Sequence, residues 1–440
     1  MKWTGEMPPN PLRRSSARPL HIGLLGMYQS KNLGDTAIQM SVMQALRERL
    51  GAVEFLGICA DPHDTVRTHG IAAVESSGNG PLVELGDKSE FFAAGTKLAG
   101  IGADASRWLP RPIARLRAID RIAASLDLLI VSGGGQIDDY WGGPWAQPFR
   151  LLLWSASARR HGVPVAFMGV GLDELSARLS AWFSLRALRM AQFRAFRDSG
   201  TLDTLQSMGL TVASIVCPDP AFGLRPLPLT VGRKEMPFVV ISPISRSAWS
   251  GSEDAEYEAY LGSLAAVAER LLEAGLAVRF ACSQTRMDPR IVQRVRQKMT
   301  AEAAAQCTYE AIATVDDFLR VTSAALLVIA SRLHAAILAL VAGTPVVAIA
   351  YSRKAKQLMN DMHLSEYCLD LRDADADAVM ATVKRALAQR TPLRDHIAKQ
   401  CRAFRASLES TIELLADAVE PALRGAEIRD RRSPASRATN

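Results

Sequence analysis

Short apolar runs of strand length alternate along this chain with longer stretches whose apolar positions recur at helical spacing. That alternation is the pattern of parallel α/β units, whose strands are covered on both faces. A strand is predicted at His21–Tyr28, then a helix from Asp35 to Leu50, then strands at Val53–Ala60 and Gly70–Ser76. The Gly-, Ala- and Pro-rich stretch 78–112 predicts no clear element. Leu126–Ser132, Val163–Val170, Gln192–Phe196 and Thr211–Cys217 continue the series. Pro226, Pro228 and Pro237, with Gly232, Arg233 and Lys234 among them, then break it and predict a linker. A second set of strands follows at Phe238–Ser242, Ala277–Cys282, Ala325–Ala330 and Val346–Tyr351. The clearest helix is Glu253–Ala274, and a helical region runs from Ala374 to Leu423.

The expected fold class is therefore α/β, with two Rossmann-like domains facing a central cleft. Residues 1–20 are expected to be a disordered leader and 21–225 the first domain. Residues 226–237 form the linker, 238–423 the second domain with its terminal helices, and 424–440 a basic disordered tail.

Composition agrees with two ordinary globular domains. The chain has 440 residues, 48% of them hydrophobic and 22% charged, which supplies a large core. The net charge of +7 fits anionic small molecules or an anionic membrane face. No basic motif interleaved with aromatics is present, so nucleic acid is not an expected partner. The six cysteines lie too far apart for a zinc or redox motif and read as reduced and structural, which fits a cytosol. The first twenty residues lack the apolar centre of a signal peptide. The long apolar stretch from Ala324 to Tyr351 is interrupted by Arg332, His334, Gly343 and Pro345, which excludes a membrane span. The expected location is cytoplasmic, with room for peripheral contact at the inner membrane face.

The chemistry-bearing residues gather at the carboxyl ends of the predicted strands, where open α/β sheets bind ligands. Asn32-Leu33-Gly34-Asp35 follows the first strand, either as an anion site at a helix start or as a plain turn capped by Asp35. Gly133-Gly134-Gly135 follows the fourth, where either a close approach or a tight turn would need glycine. Arg197 ends another strand, able to grip a phosphate or carboxylate, or to pair with Asp198. Asp219 stands between Pro218 and Pro220, where it could orient a cation or stabilise the turn. The strongest cluster is Ser331-Arg332-Leu333-His334, with Lys354 after the next strand, because two neighbouring strands would deliver Arg332, His334 and Lys354 to one edge.

On these residues the chain resembles the polysaccharide pyruvyl transferase family, which includes colanic-acid and cell-wall pyruvyl transferases. The matching pieces are Asn32-Leu33-Gly34-Asp35, Ser132-Gly133-Gly134-Gly135, Gly169-Val170-Gly171, Arg197-Asp198, Pro218 to Phe222, Ser331-Arg332-Leu333-His334, Gly343-Thr344-Pro345 and Tyr351 to Lys354. Leu172-Asp173-Glu174 stands where the family often has Gly-Pro. The resemblance implies a GT-B-like fold with the site in the interdomain cleft. It implies phosphoenolpyruvate as donor, a pyruvate ketal as product, and Arg197, Arg332, His334 and Lys354 at the donor site. The acceptor would be an oligosaccharide or lipid-linked saccharide of an exopolysaccharide pathway.

The chemistry of that reaction asks for such residues. Phosphoenolpyruvate carries a phosphate and a carboxylate, which Arg197, Arg332 and Lys354 can meet. Ketal formation at C2 begins with protonation of C3, which requires a side-chain acid, and His334 is the natural candidate by residue type. No cofactor and no metal is expected beyond the co-substrate itself. The rival readings are a GT-B-type nucleotide-sugar glycosyltransferase and a non-catalytic binding protein of the same fold. The first would commonly hold a ribose diol with a carboxylate, and none occurs from Gly343 to Met359.

Overall fold

The structure, a computed structural model, describes residues 18–27, 31–78, 82–84, 111–140, 142–173, 175–225, 236–246 and 254–432. The chain divides into two compact units. The first comprises residues 1–30, 38–223 and 406–440; the second comprises residues 31–37 and 224–405.

The first unit holds a seven-stranded parallel sheet. Its strands are β1 (Leu20–Met27), β2 (Val53–Cys59), β3 (Ala72–Glu75), β4 (Leu128–Ile137), β5 (Val165–Leu172), β6 (Phe193–Phe196) and β7 (Ile215–Val216). Their order across the sheet is β3-β2-β1-β4-β5-β6-β7. The helices are α1 (Leu33–Leu50), which begins in the second unit, α2 (Pro62–His69), α3 (Arg111–Ala124), α4 (Gln147–Arg160), α5 (Arg178–Met190) and α6 (Ser199–Ser207). The central strands are continuous apolar runs because helices cover both faces: Leu24, Leu129, Ile130 and Phe167 have no exposed surface.

The second unit repeats the plan with six parallel strands. They are β8 (Phe238–Ser242), β9 (Ala277–Phe280), β10 (Thr308–Tyr309), β11 (Leu327–Ala330), β12 (Val346–Ala350) and β13 (Cys368–Asp370), in the order β10-β9-β8-β11-β12-β13. Its helices are α7 (Asp254–Glu273), α8 (Pro289–Gln297), α9 (Ala301–Gln306), α10 (Val315–Ala324), α11 (Leu333–Val341), α12 (Arg353–Asp361) and α13 (Ala376–Ala388), followed by α14 (Arg390–Arg432). In each unit the strand order reverses once, between β1 and β4 and between β8 and β11. Ligands of open α/β sheets bind at that switch point, beyond the strand carboxyl ends.

Four features differ from the sequence-based expectation. The edge strands β10 and β13 were not predicted, being two and three residues long and partly exposed. The strand predicted to end at Ser132 continues to Ile137, because Gly133 and Gly134 take φ of +41° and +69° and carry the chain on beside β5. Residues 406 onward pack with the first unit, not the second, because Leu408, Leu415 and Val419 on α14 are buried there. That helix also runs through residue 424, where a disordered tail was expected, as far as Arg432. The expected leader 1–20 falls outside the described residues except for its last three, and Leu20 opens β1. Linker residues 226–235 and tail residues 433–440 also lie outside them.

Candidate functional site

In the second unit the chain leaves β11 at Ser331, whose N–H donates to the Ser242 carbonyl at the end of β8 (3.0 Å). Tyr260 on α7 ties these two ends together. It accepts from Ile244 N (3.1 Å) and its hydroxyl donates to Ser331 Oγ (2.7 Å). The next residue, Arg332, takes an extended conformation and occupies the N-cap of α11. Serine, threonine, asparagine or aspartate would normally cap there. Arg332 makes no side-chain cap and turns its guanidinium to Asp288 instead.

Arg332 Nε and Nη2 grip the two oxygens of Asp288, the Nη2 bond being 2.7 Å long. Nη2 also reaches Ser245 Oγ at 3.3 Å, and Ser245 N donates to Asp288 Oδ1 at 3.1 Å. This is the bidentate geometry that gives arginine–carboxylate pairs their strength. Asp288 is fully buried. Burial pushes its carboxyl above the usual range, with Arg332 and Ser245 pulling the other way. Burial also works against the Arg332 charge, but Asp288 outweighs it and holds the guanidinium protonated.

Sequence reasoning missed Asp288, since Asp288-Pro289 before a helix reads as an ordinary cap. It stands at the N-cap of α8 but makes no cap bond, its oxygens being taken by Arg332 and Ser245.

His334 is the second residue of α11, and Lys354 the second residue of α12. Both helices follow adjacent paired strands, β11 and β12. The α12 N-cap, Ser352, is extended and also makes no side-chain cap. Two helix starts without side-chain caps thus open at one sheet edge, where the amide groups and helix dipoles favour an anion.

The Asn32–Asp35 turn belongs to this unit, although the sequence places it after the first strand of the other. Leu33 N donates to the Ser283 carbonyl (2.9 Å) and Thr285 N to the Lys31 carbonyl (2.8 Å), so residues 31–33 add onto the loop after β9. Asn32, not Asp35, caps α1. Its Oδ1 accepts from Gly34 N (3.2 Å) and its Nδ2 donates to Asp35 Oδ2 (2.8 Å), leaving Asp35 inside the first turn. Gly34 sits directly against the His334 ring: a Cβ placed there would lie 2.1 Å from His334 Cγ. Glycine is therefore needed by close approach. Gly34→Ala should force the ring or the helix start to move and destabilise the protein by about 1–3 kcal/mol. Denaturant unfolding checks this; a gain in stability, as expected for alanine in an unobstructed helix, would show that the contact is not made.

The remaining candidates lie in the first unit. Gly133 and Gly135 are filled by protein, not left open. Added Cβ atoms would lie 2.2 Å from Ile38 Cγ2 and 2.4 Å from Asp173 Oδ2. Arg197 is buried at the end of β6, with Asp219 Oδ2 3.6 Å from Nη1 and Asp198 Oδ2 3.7 Å from Nε. Burial opposes its charge, but Asp219, Asp173 and Asp198 together outweigh that and hold it protonated. Asp219 caps its own turn by accepting from Ala221 N (3.0 Å) while facing Arg197. The structure thus gathers Asn32, Gly34, Asp35, Arg332, His334 and Lys354 in one unit. Gly133, Gly134, Gly135, Arg197 and Asp219 lie in the other.

All six cysteines are free, and burial pushes the thiols of Cys59, Cys368 and Cys401 up to about 11, which leaves them poor nucleophiles. Among the described residues no group of three or more His, Cys, Asp or Glu could hold a metal ion, and no helix is long and apolar enough to cross a membrane.

Comparison with known structures places the fold. A UDP-GlcNAc 2-epimerase from Neisseria meningitidis bound to UDP-GlcNAc matches with a TM-score of 0.58 at 8% identity, over 91% of this chain and 100% of that one. The S. aureus MnaA–UDP co-structure matches with 0.54 at 12% identity, over 89% and 92%. An α,α-trehalose-phosphate synthase (UDP-forming) from Burkholderia vietnamiensis matches with 0.52 at 13% identity, over 91% and 99%. At such identities the likeness establishes the fold alone, which is GT-B-like. No curated protein matches the chain in sequence. The family model for polysaccharide pyruvyl transferase matches residues 32–353, from the Asn32 turn to the start of α12. This chain therefore belongs to the polysaccharide pyruvyl transferase family.

Proposed function

We propose that this transferase takes the enolpyruvyl unit of phosphoenolpyruvate and closes it as a ketal on a sugar diol of a surface polysaccharide or its lipid-linked precursor. The observation that supports this reading is the placement of His334 and Lys354 at two adjacent helix starts, with Arg332 at the first. A phosphate and a carboxylate borne on one carbon suit paired helix starts flanked by cations. Nε and Nη2 of Arg332 are engaged by Asp288. Its contribution to the donor is then Nη1, aimed by the pair. Arg197, ringed by carboxylates, holds the Asp219 turn and makes no donor contact in this reading.

His334 delivers a proton to C3, and the former methylene becomes a methyl group. The C2 centre turns oxocarbenium-like, and one sugar hydroxyl adds to it, losing its proton. The second hydroxyl then bonds to C2 as the C2–O bond to phosphate breaks, the phosphate leaving with the electron pair. The first hydroxyl's proton can return to His334 and the second's go to the departing phosphate, so atoms and charge balance. The test is phosphate release from phosphoenolpyruvate with and without candidate lipid-linked oligosaccharides, with the ketal identified by mass. Acceptor-dependent release is expected. Absence of release across the acceptors, together with turnover of a nucleotide sugar, would overturn the reading.

A further inference from the structure

On the first unit, helices α4 and α5 and the loop before α4 carry a cluster of exposed aromatic rings. Phe183 is buried and forms the base of the cluster. Trp145 and Trp182 stand on it, each with its ring centroid 5.4 Å from that of Phe183. Trp145 is 67% exposed and Trp182 55%, beside Leu179 at 40%. A tryptophan loses most by facing water, and two of them joined through one ring mark a surface meant to be covered.

The charges around the rings narrow what covers them. Arg178, Trp182 and Arg186 follow at four-residue steps and so share one stripe of α5. Arg178 and Arg186 are exposed, and neither makes a hydrogen bond or ion pair among the described residues. Neither α4 nor α5 contains an aspartate or glutamate. Asp139, upstream of α5, is buried and accepts from Ser176 N and Ala177 N, which fixes the start of the helix. Tryptophan and leucine alternating with unpaired arginine is the composition of an interfacial surface, with rings at headgroup depth and guanidinium groups on lipid phosphates.

We infer that this α4–α5 face docks the protein onto an anionic lipid bilayer. A soluble saccharide subsite would pair such rings with carboxylate or amide groups, and this stripe offers arginine and leucine. Docking is read without turnover, so it stands or falls apart from the donor assignment.

The experiment is co-sedimentation of the full chain with vesicles of phosphatidylcholine alone or mixed with phosphatidylglycerol. Wild type should bind the mixed vesicles and release at high salt, where surface charge is screened. R178Q/R186Q should weaken binding about thirtyfold, from about fivefold per charge. W145A/W182A should weaken it about tenfold or more while the denaturant midpoint of the protein is kept. Equal binding by wild type and both variants would overturn the proposal, as would no binding by wild type. Two other results would also overturn it: self-association of wild type that W145A/W182A abolishes, or weaker binding of a soluble acceptor by that variant with vesicle binding intact.

Discussion

His334→Gln should bind phosphoenolpyruvate and lose turnover by roughly two to four orders of magnitude, the usual scale for a general acid–base residue. Binding should survive because the helix starts, Lys354 and the Arg332–Asp288 pair remain. Glutamine is the cleaner probe. Alanine would open a void where the ring packs against Gly34, mixing a packing loss with the chemical one. Isotope incorporation separates the roles: in D2O the wild-type product should carry deuterium in its new methyl group. If His334→Gln turns over near the wild-type rate, the proton comes from elsewhere and the imidazole serves only to pack the Asn32–Asp35 turn. Titration of phosphoenolpyruvate against the variant distinguishes this from a binding defect.

Much of the fold was legible because parallel strands buried on both faces are continuous apolar runs, as Leu128–Val131 and Val346–Ala350 are. What stayed hidden depended on distant neighbours. Asn32–Asp35 reads as the end of one strand and the start of one helix. Its membership of the second unit comes from bonds to Ser283 and Thr285, some 250 residues away, and no local pattern encodes them. The triple glycine reads as a turn or a ligand cradle. Ile38 lies against Gly133 and Asp173 against Gly135, and those approaches are again long-range. The cationic cluster was visible as residue types at strand ends, but which cations keep a free donor was not. That depends on the carboxylates placed beside them: Asp288 beside Arg332, and Asp219, Asp173 and Asp198 around Arg197.

The Arg332–Asp288 pair changes what Arg332→Ala should do. Read from sequence, the arginine is a ligand-facing cation whose loss weakens donor binding and spares the fold. In the structure, its loss strands a fully buried carboxylate that, among the described residues, keeps Ser245 as the remaining partner of its side-chain oxygens. Removing one partner of a buried ion pair typically destabilises by about 3–5 kcal/mol. Arg332→Ala should therefore lower the denaturant midpoint as strongly as a large core truncation, in addition to weakening phosphoenolpyruvate. Asp288→Asn keeps the shape but removes the charge, and should free the guanidinium to swing from its fixed direction. The decisive protein is Arg332→Met with Asp288→Leu, which removes both charges. It should recover most of the lost stability, since apolar replacement of a buried pair is often neutral or better. It should not recover donor affinity, because no cation remains at the α11 N-cap. Stability and affinity would then separate in one double-mutant cycle. A double variant that regains donor binding along with stability would remove Arg332 from the donor site and leave it as a strut between α11 and α8.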